Sequence, residues 1–248
     1  MKTILITGCS SGFGHATALY FLERGWKVIA TMRKPNPELF PTSDNLHLLP
    51  LDVSDAASIK NAIAAAGDID VLVNNAGIGV LTSLEGTPMS TVRDVFETNT
   101  LGTIAMTQAV LPQFRANRSG TVVNVTSTVT LKSLPLLAVY TGSKAAVNAF
   151  TESLALELEP FNVKVRLVLP GLAPTTDFGK NAMPRMENTQ LEPYQPMLDG
   201  IFNAMHQPQP TTKAIDVAEA VWQAATDPHA PMRIPAGEDA VALANGAA

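Results

Sequence analysis

A single cysteine, Cys9, in 248 residues excludes an internal disulfide and any cysteine-rich metal site. The chain also lacks a run of Lys or Arg, and its formal net charge is −5. Such a balance argues against a protein that neutralises nucleic-acid phosphates or coats an anionic membrane. No stretch approaches the length of a membrane span, so membrane insertion is not expected. The apolar run after Met1-Lys2 ends at Thr7-Gly8, too short for a signal-peptide core with its cleavage site. These deficits point to a chain in a reducing cytoplasm whose partners are small molecules.

Apolar residues make up 46% of the chain and charged residues 16%, enough to bury a large core in one domain. Short β-branched runs alternate with longer helical patterns. Strands are expected at Thr3–Thr7, Lys27–Thr31, Leu46–Leu51, Val71–Val73, Thr121–Val125 and Val163–Leu169. Helices are expected at Phe13–Arg24, Ala56–Ala66, Met89–Arg115, Val139–Glu159 and Ile215–Ala225, with Asp55 and Ser90 as N-caps. That alternation implies an α/β fold, a doubly wound and mostly parallel sheet with right-handed crossovers and helices on both faces.

Between Pro170 and Thr212 the regular pattern breaks down, and seven of the 18 prolines and four of the nine methionines fall there. A surface excursion without function is the plainer reading. A substrate-covering loop is favoured, because long irregular segments in compact domains tend to be lids and Met suits an adaptable apolar pocket. The small-residue tail from Ala236 to Ala248 is expected to fray.

The first strand runs directly into Thr7-Gly8-Cys9-Ser10-Ser11-Gly12-Phe13-Gly14, and a helix opens behind it. A strand, a glycine turn and a helix start let backbone approach a pyrophosphate and aim unpaired N–H groups and the helix dipole at it. Gly8, Gly12 and Gly14 are the candidates. Gly8, Ser10 and Gly12 also match the G-x-S-x-G nucleophile elbow of serine hydrolases. That alternative needs an acid and then a histidine downstream, where only His47, His206 and His229 remain beyond the helix carrying His15, and no earlier loop can supply a second oxyanion donor.

No acid stands about twenty residues past the glycines, where it would bind an NAD ribose. The second strand ends instead in Ala30-Thr31-Met32-Arg33-Lys34, two cations where NADP carries its 2′-phosphate. This favours NADP over NAD. Asp52, after the third strand, could accept from the adenine amino group or merely cap a turn.

Tyr140 and Lys144 sit four apart in a helical segment, hence on one face one turn apart. A phenol of ordinary pKa about 10 is too weakly acidic to serve as a base at neutral pH, and a fixed ammonium favours its phenolate. Ser127, at the end of the preceding strand, could bond a substrate oxygen at the carboxyl edge of the sheet, where ligands bind in such folds. Asn74-Asn75-Ala76-Gly77 ends another strand at that edge, and Asn99 lies inside a long helix that an amide does not ordinarily favour.

Taken together, these spaced motifs resemble those of the short-chain dehydrogenase/reductase family over essentially the whole chain. The glycine loop is matched by Thr7 to Gly14, Asn-Asn-Ala-Gly by Asn74 to Gly77, the active-site residues by Asn99, Ser127, Tyr140 and Lys144, and Pro-Gly by Pro170-Gly171. The family's threonine after Pro-Gly has two candidates, Thr175 and Thr176, behind an extra Pro174, and Thr175 is taken. The resemblance implies a Rossmann-type single domain and hydride transfer between the nicotinamide and a carbonyl or secondary alcohol. It implies cofactor contacts from Gly8, Ser10, Ser11, Gly12, Phe13, Gly14, Arg33, Lys34, Asp52, Val53, Asn75, Ala76, Gly77, Tyr140, Lys144, Pro170, Gly171 and Thr175. Ser127 would polarise the carbonyl, Tyr140 give the proton, Lys144 hold the ribose, and Asn99 support a water relay. Ala30–Lys34 and Arg233–Gly237 are also similar to branches acting on hydrophobic alcohols and ketones. A homodimer or homotetramer through the two long helices is implied. A redox-neutral enzyme or a non-catalytic NADP(H)-binding sensor on the same fold are the alternatives.

Overall fold

Ile4, Leu5 and Ile6 of the first strand, β1 (Thr3–Thr7), are wholly buried, as expected of a parallel strand covered on both faces. The computed structural model describes residues 1–187, 189–205 and 207–246. The further strands are β2 (Lys27–Met32), β3 (Leu46–Pro50), β4 (Val71–Asn74), β5 (Gly120–Val125), β6 (Val163–Pro170) and β7 (Arg233–Ala236). They form one parallel sheet in the order β3-β2-β1-β4-β5-β6-β7. The winding reverses between β1 and β4, which opens a crevice at their carboxyl ends.

Two helical layers cover the sheet. On one face α1 (Gly12–Leu22) and α8 (Ala214–Thr226) bring Phe21, Val217 and Val221 against Ile4, Val28 and Val73. On the other, α2 (Ala56–Ala66), α4 (Gly102–Asn117) and α5 (Ala138–Leu158) bring Ile59, Met106, Phe114 and Leu154 against Leu5, Leu72 and Val165. Asp55 caps α2 as expected, its carboxylate accepting from Ala57 N at 2.8 Å. Gly120 holds φ +154 and lets the Phe114 ring lie flat on the start of β5.

Four expectations are corrected. The segment Met89–Arg115 is not one helix: α3 (Met89–Phe96) leads through a π-helical turn, Glu97–Leu101, into α4. Ser90 lies inside α3, and Pro88 holds the N-cap position without a side-chain bond. Residues 233–236 form the edge strand β7, and the tail beyond packs as α9 (Glu238–Ala244), with Ala240 wholly buried and Asp239 hydrogen-bonded. The tail is therefore anchored rather than frayed; Ala247 and Ala248 lie outside the described residues. Among the described residues the segment after Pro170 carries two helices, α6 (Phe178–Ala182) and α7 (Gln195–Met205), plus two single-turn 3-10 helices, so its prolines punctuate short elements.

Phe114 is a full ring at 0% exposure in the second layer. Phe114→Ala should cost about 3–5 kcal/mol of stability in urea denaturation. A loss under about 1 kcal/mol would show that the layer collapses into the space.

Candidate active site

Gly8 and Gly12 take φ of +74 and +57, the left-handed region in which a side chain is strained. A Cβ on Gly8 would lie 2.9 Å from the Ala76 Cα, and one on Gly14 would strike the Gly8 carbonyl and the Asn75 amide. Two glycines thus shape the turn while the third lets α1 pack down onto it. Ser11, at the N-cap, makes no side-chain cap bond, and the first turn of α1 holds no acid. The helix start therefore keeps its donors and positive dipole end for an anion, which fits the pyrophosphate of a dinucleotide. Phe13 turns into the core. Cys9 is fully buried and donates to Ile6 O at 3.2 Å; burial pushes its thiol up to about 12, which leaves it inert.

Arg33 and Lys34 leave β2 exposed and, with Ser10 and Met32, line a cavity of about 410 Å³. None of these four carries a carboxylate, so the cavity suits a phosphate. Asp52 stands nearby; the Ser54 hydroxyl and amide, with Arg33 further off, hold its carboxyl below the usual range. Its Oδ1 accepts from Ser54 N at 3.0 Å and Ser54 Oγ at 2.6 Å, the turn-capping role. Val53 packs against Gly102, where a Cβ would come within 2.9 Å of it.

The crevice is sewn shut at its base by Thr7. Its hydroxyl accepts from Asn75 N at 3.0 Å and Ala76 N at 2.9 Å, while Asn75 Nδ2 donates to Thr7 O at 2.9 Å and Gly8 O at 3.2 Å. Gly77 follows, where a Cβ would sit 3.3 Å from Asn99 Oδ1 and 3.4 Å from Lys144 Nζ.

Tyr140 and Lys144 rise from the first turns of α5, both buried. The Ser127 side chain stands beside the Tyr140 phenol and favours its ionisation, while its hydroxyl accepts from Val129 N at 3.3 Å. Burial pushes Tyr140 up to about 12, only partly offset by Ser127, and pushes Lys144 down to about 8. Burial thus governs the phenol, and the expected lowering by Lys144 does not. Lys144 Nζ donates to Val125 O at 3.0 Å, leaving two further donors. Asn99 lies in the π-helical turn, which explains an amide in a helical stretch. Its Nδ2 donates to Ile78 O at 2.9 Å and Ser143 Oγ at 3.0 Å, and its Oδ1 accepts from Ile78 N at 2.8 Å. It therefore binds the β4 exit loop to α5.

The segment after Pro170 folds over this group. Phe178 of α6 stacks on Tyr140 with centroids 5.5 Å apart, and its ring covers Gly79, where a Cβ would lie 2.6 Å from it. Ala182, Met186 and Leu198 pack on Leu136 and Leu81. Thr175 points to solvent, whereas the Thr176 side chain lies 3.5 Å from the Cβ position of Gly12 and its hydroxyl bonds Ala173 O. Of the two, Thr176 is the one the structure brings to the glycine loop.

Sequence reasoning missed Asp239 and Thr212. Asp239 accepts from Leu172 N at 2.6 Å and from Thr212 Oγ1 at 2.8 Å; Thr212 in turn accepts from Gly171 N at 2.8 Å. A side chain on Gly171 would strike Asp239. These bonds clasp both ends of the covering segment, and Asp239 is 67 residues from Leu172, so no local pattern announces them. Ser10 sits exposed on its loop, and His15 gives its ring N–H to Leu39 O at 2.8 Å rather than to a serine. His206, another histidine a hydrolase could have used, lies outside the described residues.

The family described as short chain dehydrogenase matches residues 2–187. The 3-ketodihydrosphingosine reductase of Bacteroides thetaiotaomicron is 40% identical over 174 residues, covering 68% of this chain and 63% of that protein. This chain thus spans less than two thirds of that relative. The uncharacterized oxidoreductase YusZ of Bacillus subtilis is 35% identical over 255 residues, covering 96% of this chain and 89% of that one. A short-chain dehydrogenase of Streptomyces avermitilis superposes with TM-score 0.82 at 33% identity, over 99% of this chain and 92% of its own. A serine dehydrogenase complexed with NADP+ superposes with TM-score 0.82 at 29% identity, over 96% and 95%. The 3-ketoacyl-(acyl-carrier-protein) reductase of Brucella melitensis, complexed with NADH, does so with TM-score 0.78 at 27% identity, over 94% and 96%. Among the described residues no helix is long and apolar enough to cross a membrane.

The depressed Lys144 predicts a pH dependence of stability. Folded Lys144 loses its proton near 8, whereas the unfolded side chain keeps it to 10.5. Unfolded chains then bind more protons, so this contribution grows as pH rises between 8 and 10.5 and fades as pH falls through 8. Urea denaturation should show the parent gaining stability relative to Lys144→Met across that window. Parallel profiles would mean that Lys144 is not desolvated.

Proposed function

The chain belongs to the short-chain dehydrogenase/reductase family, and we propose that it is an NADP(H)-dependent oxidoreductase moving a hydride between the nicotinamide and a carbonyl or secondary-alcohol carbon of a hydrophobic small molecule. Solved neighbours bind NADP or NAD, so a nicotinamide dinucleotide is the family's coenzyme. The observation that carries the reading is the meeting of Ser127, Tyr140 and Lys144, all buried, at the crevice where β1 and β4 part.

The glycine loop and the start of α1 would hold the pyrophosphate, Arg33 and Lys34 the 2′-phosphate, and Gly77, Pro170, Gly171 and Thr176 the nicotinamide half. The chemistry that the nicotinamide supplies is hydride transfer at C4. A phenol pushed up to about 12 is fully protonated at neutral pH, which suits Tyr140 to donate a proton to an alkoxide in reduction. Ser127 donates to the same oxygen and so aims it at the phenol. Lys144, still cationic at neutral pH with its constant near 8, stands one turn from Tyr140, where its charge stabilises the phenolate left behind. One Nζ donor is fixed on Val125 O, leaving two for a ribose hydroxyl and for a proton relay. Asn99 Oδ1 keeps a second lone pair and, like Lys144 Nζ, lies close to Gly77, so these two groups are the ones that would serve a proton relay.

Phe178 on Tyr140, with the neighbouring Leu81, Leu136, Met186 and Leu198, supports a hydrophobic substrate under a closing segment. Leu101 and Leu156, 50% and 73% exposed beside and on the two long helices, support a homo-oligomer.

Tyr140→Phe should lower kcat by at least about a thousandfold with NADPH affinity within about twofold of the parent. Activity near that of the parent would remove Tyr140 from the mechanism. Arg33→Ala should weaken NADPH by about tenfold or more while sparing NADH, measured by tryptophan fluorescence or calorimetry. Equal losses would defeat the phosphate assignment. Net consumption of NADPH with a ketone panel separates this reading from redox-neutral chemistry.

A further inference from the structure

His15 stands one turn into α1, just behind Gly12, Phe13 and Gly14, yet its ring reaches away from the glycine loop. Its Nε2 lies 2.8 Å from Leu39 O, and because a carbonyl only accepts, Nε2 carries the proton and donates. The ring also stacks on Phe40, with centroids 4.8 Å apart and planes tilted by 50°. Leu39 and Phe40 belong to the connection between β2 and β3, whose near end is Arg33-Lys34. That connection is stiff. Pro35, Pro37 and Pro41 fix its backbone angles, and Asn36 Oδ1 accepts from Glu38 N at 3.0 Å to cap a single helical turn. Leu39 and Phe40 pack on the core layer under α1. A stiff unit held at its far end transmits that restraint to its near end.

We infer that His15 is a positioning residue for the coenzyme: it pins the β2–β3 connection to α1 so that Arg33 and Lys34 keep facing the cavity they share with Ser10. One helix thereby serves both ends of the nucleotide. Its first turn faces the pyrophosphate, and His15 sets the distance from there to the cations for the 2′-phosphate. The inference rests on Arg33 as the phosphate cation. A histidine that merely satisfies a carbonyl in the fold would affect both coenzymes alike, since NADPH and NADH share everything but that phosphate.

The test measures NADPH and NADH dissociation constants on the full chain for the parent, Arg33→Ala, His15→Ala, His15→Leu, His15→Gln and the Arg33→Ala/His15→Ala double variant. His15→Leu keeps bulk against Phe40 and drops the donor; His15→Gln restores an N–H donor at similar reach. Either donor-less variant should weaken NADPH about five- to tenfold while leaving NADH within about twofold, and His15→Gln should recover most of the loss. The double variant should lose clearly less NADPH affinity than the sum of the two single losses, because His15 acts through the cations it positions, Arg33 among them. Equal losses for both coenzymes, or additive losses in the double variant, overturn the inference while leaving the NADP reading intact. An Arg33→Ala variant with unchanged NADPH-to-NADH preference sinks that reading first, and the inference with it.

Discussion

The hydroxyl of Thr7 holds together the place on which everything else depends. At the carboxyl ends of β1 and β4 the winding of the sheet reverses and the two chains diverge, and nothing in a strand ladder keeps diverging ends at a fixed spacing. Thr7 Oγ1 takes the backbone N–H groups of Asn75 and Ala76, while the Asn75 amide returns two bonds to Thr7 and Gly8. Gly8 and Gly14 are glycines because this seam is so tight that a Cβ at either would overlap it. The glycine loop and the loop that follows β4 thus share one hydrogen-bonded joint. Movement in one is felt in the other.

Below that joint a buried polar axis crosses the second layer. Asn74 donates to Asn124 at 2.8 Å and to Thr107 at 3.0 Å, and Asn124 donates to Thr151 at 2.8 Å, tying β4 and β5 to α4 and α5. Buried amides and hydroxyls tolerate little displacement, since each lost partner leaves an unsatisfied group in a low dielectric. This axis and the Asn99 clamp hold α5 in register with the sheet. Tyr140 and Lys144 inherit that register, which places an ammonium and a phenol beside the Val125 carbonyl and Ser127. The same burial opposes charge on both groups, holding the phenol protonated and drawing the ammonium down.

The covering segment is arranged on the opposite principle. It is fastened at its two ends by Asp239, Thr212, Gly171 and Leu172, and rests in between on a small apolar patch around Leu136. Leu136 itself has φ +59, an uncommon conformation for a branched side chain, and from it the carbonyl reaches Thr82 N at 2.9 Å while the side chain meets the segment.

Local chemistry was legible in the residues alone: buried strands as apolar β-branched runs, the glycine loop between strand and helix, and Tyr140 with Lys144 on one helical face. Each depends on neighbours within a few positions, where periodicity and sterics act directly. Sequence likewise showed two cations, Arg33 and Lys34, and no acid directly at the end of β2. Only the tertiary structure decided the rest. The edge strand β7 and helix α9 are short and weakly patterned, and they order because β6 and the clasp receive them. The break in the long helix at Asn99 follows from partners on Ile78 and Ser143, 21 and 44 positions away. The ionisation of Tyr140 follows from how deeply it is packed, which four-residue spacing does not encode. Contacts over such separations are products of the finished fold, so the sequence determined the parts of this site and the packing decided their state.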